Sequence, residues 1–126
     1  MHPLRPAVAA FGRMGPHREL RGALDPANQG ALVWERRIGQ GSGLGGQWGG
    51  ATEGDNAFFG INDFKESIQG GMRALRVLDG SMIWTQAAQK KMCAEGPGCN
   101  SSQGGAVTTI VGAVFSSATD GGIRVY

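Results

Sequence analysis

No run of 18 apolar residues occurs in the 126-residue sequence, so nothing in it reads as a helix long enough to span a membrane. Charge of either sign is scarce. Twelve Lys and Arg against ten Asp and Glu leave a net charge of +2, and the basic residues form no block, which argues against a nucleic-acid partner. There are only two cysteines, Cys93 and Cys99, and the two histidines, His2 and His17, lie far from them in sequence, a poor ligand set for zinc. No clear secretory leader stands at the start. The apolar patch Ala7-Val8-Ala9-Ala10-Phe11 is short for one, and no clear cleavage site follows it; a degraded strand of an upstream repeat unit is the other reading.

What the sequence has in excess is glycine, 23 residues of 126, where about 7% is usual. These glycines keep no collagen period, and apolar runs lie between them. A turn-rich all-β chain fits that pattern. The organising stretch is Ala74-Leu75-Arg76-Val77-Leu78-Asp79-Gly80-Ser81-Met82-Ile83-Trp84, which reads as a β-hairpin turning at Asp79-Gly80. It has an earlier copy, Ala23-Leu24-Asp25 to Ala31-Leu32-Val33-Trp34, and begins again at Ile123-Arg124-Val125-Tyr126. Leu24, Leu75 and Tyr126 are 51 residues apart, and Trp34 and Trp84 are 50 apart. A period of that size with a Gly/Trp signature predicts a propeller built of repeated blades.

Around the hairpins the pattern predicts strands at 47–52, 56–61, 105–110 and 113–118, with turns at 53–56 and Val111-Gly112. Residues 1–20 carry no period and are read as an irregular N-terminal segment. The remainder, 21–126, is read as part of a propeller of four-stranded antiparallel blades: a half blade at 21–38, a full blade at 46–86 and a partial blade at 104–126. Phe58 and Phe115, like Asp63 and Asp120, are 57 apart, so residues 64–69 are an insertion in the earlier unit. The loops 39–46, 62–71, the cysteine loop 87–103 and 120–122 are expected on one face, the usual binding face of such repeats. A propeller needs at least four blades to close. The chain is therefore expected to need the remaining blades or another chain, and its stop at Tyr126 within a hairpin keeps a truncated frame open as a further reading.

The pattern Ala-Leu-x-x-x-Asp-Gly-x-x-x-Trp resembles the tryptophan docking motif of PQQ-dependent (quinoprotein) dehydrogenases. Gly45-Gly46-Gln47-Trp48-Gly49 with Asn56-Ala57-Phe58-Phe59-Gly60, and the segment Cys93-Ala94-Glu95-Gly96-Pro97-Gly98-Cys99, are most similar to the polyvinyl-alcohol dehydrogenase branch. The resemblance covers about residues 20–126. It implies that Trp34 and Trp84 dock on neighbouring blades. It also implies PQQ and calcium as cofactors, an alcohol substrate, a cytochrome c-type electron acceptor and a periplasmic location. Trp48, with Gly46 and Gly49 beside it, would be the aromatic floor under the quinone; the alternative is an indole packed in the core. Asn62 and Asp63, just past a strand, would be calcium ligands, since both offer hard oxygens; ordinary turn chemistry is the other reading, and the choice between the two residues stays open.

Cys93 and Cys99 enclose five residues and can close into a disulfide, implying an oxidising compartment; two free thiols are the alternative. Gly41-Ser42-Gly43-Leu44-Gly45-Gly46 matches a dinucleotide fingerprint only formally, because no helix-forming run follows it. Arg73 and Arg124 occupy equivalent repeat positions, which points to a structural role at the surface. Glu95 and Asp120 have no evident partners. No stretch matches the family's catalytic-aspartate motif. The expected function is thus a piece of an alcohol dehydrogenase that moves hydride to a quinone and is inactive by itself. The alternative is a non-catalytic propeller scaffold that binds other proteins.

Overall fold

A computed structural model of the chain describes residues 19–42, 49–65 and 67–126. These residues form nine strands in three antiparallel sheets. Strands β1 (Glu19–Asp25) and β2 (Ala31–Gly39) pair as a two-stranded sheet. Strands β3 (Ala51–Glu53), β4 (Asn56–Gly60), β5 (Met72–Arg76) and β6 (Met82–Gln86) follow one another across a four-stranded meander. The third sheet is β7 (Thr108–Ile110), β8 (Ala113–Ser117) and β9 (Ile123–Val125). Among the described residues there is no α-helix, only a 3-10 turn at Pro26–Asn28, and none is long and apolar enough to cross a membrane. Successive small meanders packed face to face make this a partial β-propeller.

The turns form where the local chemistry demands them. Gly54 and Gly112 take positive φ of 59° and 82° in the two-residue connections β3–β4 and β7–β8, a region that L side chains avoid. The β5–β6 connection is longer than the tight turn its Asp-Gly dipeptide suggests. Arg76 N–H bonds to the Ser81 carbonyl at 2.8 Å, closing a loop over Val77, Leu78, Asp79 and Gly80. The Asp79 carboxylate accepts from the Ser81 N–H at 2.9 Å and holds that loop in register.

The two inner strands of the middle sheet, β4 and β5, are buried on both sides, and the two-residue strand period decides which side chain meets which neighbour. Ala57, Phe59 and Leu75 face the first sheet, where they join Ala23, Trp34, Ile38, Ile61 and Val77. Phe58, Met72 and Ala74 face the third sheet and meet Val107 and Val114, with Trp84 and Tyr126 against the same cluster. Consecutive phenylalanines thus feed two different cores. Phe59 is 2% exposed, so burying it contributes about 1.5–3 kcal/mol.

Trp34 locks the first sheet to the second. Its Nε1–H donates to the Val77 carbonyl at 2.7 Å, and its ring lies on Gly80, where a Cβ would stand 2.5 Å from Cδ2 and Cε3. The Asp-Gly dipeptide therefore has two tasks, a positive φ of 71° and a bare surface for the neighbouring indole. Trp84 packs toward the third sheet, stacked on Tyr126 with ring centroids 6.2 Å apart and tilted against Phe58 at 5.9 Å.

Candidate functional site

Among the described residues, the loops expected on one face are joined by hydrogen bonds. The Asp63 carboxylate accepts from the N–H groups of Gln40 at 3.0 Å and Gly41 at 2.9 Å. Gln103 N–H donates to the Ile61 carbonyl at 3.0 Å, and Met92 N–H to Asp120 Oδ2 at 3.0 Å. Between the exit of β2 and the loop after β4 lies a cleft of about 510 Å³, walled by Arg37, Gln40, Asp63, Ser67, Ile68 and Arg73. Ser67 and Ile68 belong to the insertion that distinguishes the middle unit, so the insertion builds one wall of the cleft.

Directly behind the cleft lies a buried cluster of charge. Glu19, the first residue of β1, is 2% exposed, and its Oε1 stands 3.4 Å from Arg21 Nη2. Its second oxygen, Oε2, is buried without a hydrogen-bond partner. A Cβ built on Gly39 would lie 2.6 Å from that oxygen and 3.1 Å from Asp63 Oδ2. The two carboxylates therefore converge on a point that only glycine leaves open. Burial pushes the Glu19 carboxyl up to about 7; Arg21 draws it down, and the Asp63 charge adds to the rise. The Arg21 guanidinium sits 5.1 Å from the centroid of Phe59, a cation–π contact inside the core.

Asp63 takes a left-handed φ of 43°, unusual for a side chain other than glycine. Its repeat partner Asp120 does the same kind of work. Asp120 accepts from Met92 N–H and from Gly122 N–H at 2.9 Å, and it pairs with Arg124. In both units the aspartate past the second strand of the sheet grips the loop that arrives from the preceding sheet. Asp120 thus has partners, which the sequence left unassigned, and Glu95 pairs with Lys91 at 3.3 Å on the surface. Arg124 is 4% exposed, so its structural role lies in the interior rather than at the surface, while Arg73 is half-buried at the cleft. The Arg124 guanidinium holds the Asp120 carboxyl well below the ordinary range.

The expected site residues are only partly visible. Gly46 and Trp48 lie outside the described residues. Gly49 has a φ of 79° with open space where a Cβ would be, so a ligand or another backbone can approach it. Asn62 and Asp63 are 4% and 5% exposed; Asp63 lines the cleft, whereas the Asn62 amide lies against Gly104, its Oδ1 accepting from Phe64 N–H at 3.1 Å. Among the described residues no three of His, Cys, Asp and Glu gather as a metal cluster. Cys93 and Cys99 are joined in a disulfide with Cα atoms 5.8 Å apart. Sequence reasoning missed Glu19, which falls in the stretch read as irregular. Its only signal was alternation: Glu19, Arg21 and Ala23 share one side of a strand, and charges at that spacing ordinarily mark a solvated face.

The docked indole, the bare Gly80 beneath it and the shared loop face define a repeat propeller held together by tryptophan. No family model matches the chain. It is 36% identical over 108 residues to a polyvinylalcohol dehydrogenase of Pseudomonas sp and 33% identical over 111 residues to a polyvinylalcohol dehydrogenase of Sphingopyxis sp. strain 113P3. Each match takes in 82% of this chain and 17% of the relative's length. Over the matched residues the chain belongs to the polyvinylalcohol dehydrogenase-like branch.

Proposed function

We propose that this chain carries part of the cofactor end of a quinoprotein alcohol dehydrogenase acting on secondary or polymeric alcohols. The observation that supports this best is the convergence of Glu19 Oε2, buried and unpartnered, with Asp63 Oδ2 at Gly39, immediately behind a cleft on the loop face. Carboxylate oxygens are hard ligands of the kind calcium takes, and the donors at Gly39 suit it: Asp63 Oδ2 accepts a single N–H, from Gln40, and Glu19 Oε2 accepts none. Glu19 with Asp63 would hold the ion, the convergence at Gly39 favouring Asp63 over Asn62 as the ligand, and Trp48 with Gly46 and Gly49 would form the floor for PQQ. When bound, calcium and the quinone supply electrophilic activation and a hydride acceptor. The chain's own residues orient and shield. Arg21 and Arg73 balance the buried carboxylates, and Asp63 fixes the 40–41 loop that leads to the floor. The Cys93–Cys99 disulfide suits an oxidising compartment such as the periplasm, with a cytochrome c-type protein taking the electrons onward.

The test is ligand binding, because the chain spans only 17% of its relatives and is expected to be inactive alone. Calcium titration followed by calorimetry should give a binding isotherm that Glu19→Gln and Asp63→Asn each weaken by about tenfold or more. PQQ should quench tryptophan fluorescence in the wild type, and Trp48→Ala should remove most of that quenching. Dye-linked alcohol oxidation with both cofactors should stay at background. Calcium binding that ignores both substitutions, together with unchanged quenching in Trp48→Ala, would refute the reading.

A further inference from the structure

The cysteine loop is anchored on two different sheets. Ahead of Cys93, Met92 N–H donates to Asp120, and the Lys90 carbonyl accepts from Arg124 Nη2 at 3.2 Å, which ties that arm to the third sheet. Beyond Cys99, the Ser101 hydroxyl donates to the Gln69 carbonyl at 3.3 Å and Gln103 N–H to the Ile61 carbonyl, which ties the other arm to the two ends of the insertion loop, while Thr119 holds Asn100 and Ser102 from the third sheet's side. Ser101 also lies directly on Gly70. A Cβ there would collide with the Ser101 carbonyl and stand 3.2 Å from the Ala88 Cβ. Gly70 lines the cleft, and with Gly71 it takes φ of 78° and 103°, so the insertion loop ends in two residues able to act as a hinge. The disulfide pinches the two arms together. Residues 94–98 are exposed and the cysteines half-buried, which puts the bridge within reach of solvent and in the class that exchanges readily.

We propose that Cys93–Cys99 is a redox latch on the cleft: reduction by a dithiol releases Ser101 from Gln69 and lets the insertion loop move off the cleft wall. A thiolate of the reductant attacks one sulfur of the bridge and expels the other as a thiolate. The second thiol of the reductant then closes on the mixed disulfide. Two protein thiols and one oxidised dithiol result, with both protons coming from the reductant. Opening the bridge returns backbone entropy to residues 94–98, which the ring encloses, and that motion loosens the adjoining turn that carries Ser101. This inference does not rest on the cofactor reading.

Hydrogen–deuterium exchange on the full chain, oxidised and then reduced with dithiothreitol, tests it. Reduction should speed exchange in peptides covering 61–71 by about tenfold, with β5 and β6 unchanged, and reoxidation should restore protection. Ser101→Ala with the disulfide intact should reproduce the local loss. The Cys93→Ser, Cys99→Ser double variant should do so without reductant; if it fails to fold, reduction of the folded wild type decides. Unchanged exchange over 61–71 on reduction overturns the proposal. So does equal acceleration throughout the chain, because the bridge would then be a global staple.

Discussion

Replacing Gly80 by alanine probes the joint between the first two sheets. Two costs come from the structure. The residue sits at φ 71°, where a Cβ costs about 1–2 kcal/mol. The added Cβ would also stand 2.5 Å from two ring carbons of Trp34, so the indole must shift, at about 1–3 kcal/mol for overpacking. Gly112→Ala isolates the first cost, because Gly112 has φ 82° and nothing within 4 Å of a built Cβ. Gly80→Ala should therefore destabilise by about 2–5 kcal/mol and Gly112→Ala by about 1–2 kcal/mol, measured by urea unfolding followed by circular dichroism. In a Trp34→Ala background the extra cost of Gly80→Ala should vanish, which a double-mutant cycle reads directly. Equal losses at Gly80 and Gly112, or an excess that survives removal of the indole, would refute the idea that the turn glycine exists to seat the neighbouring tryptophan.

Trp34→Phe keeps an aromatic ring but leaves the Val77 carbonyl without its 2.7 Å donor, so it should cost about 1–3 kcal/mol in the same unfolding assay. Phe59→Ala should cost about 3–5 kcal/mol, since it opens a cavity between sheets and strips the face from Arg21; a loss below about 1 kcal/mol would contradict its place in the core. Asp120 gives a pH dependence. Its folded carboxyl is depressed, first by Arg124, while the unfolded one titrates near ~3.9, so its contribution is complete above about pH 5 and drains away as pH falls through that value and below. Acid unfolding of Asp120→Asn should be correspondingly flatter between about pH 5 and 2, and a slope identical to wild type would count against the buried pair.

The sequence by itself determined the strand-and-turn plan, because that plan rests on local chemistry. Glycines at positive φ, a strand period of two and a 51-residue spacing all act within a hairpin or between its copies. That the loops carrying Gln40, Asp63, Met92 and Asp120 meet followed from the strand count alone. What only the tertiary structure decided is who meets whom across the sheets. Gly80 reads as a turn residue, yet Trp34, distant in sequence, requires its bare surface. Glu19 reads as a charge in an unpatterned segment, yet the packing of β1 behind Gly39 buries it against Asp63. Desolvation and steric contact between segments 40 and more residues apart leave no mark in local composition, and those contacts turn a row of hairpins into a cleft with two converging carboxylates.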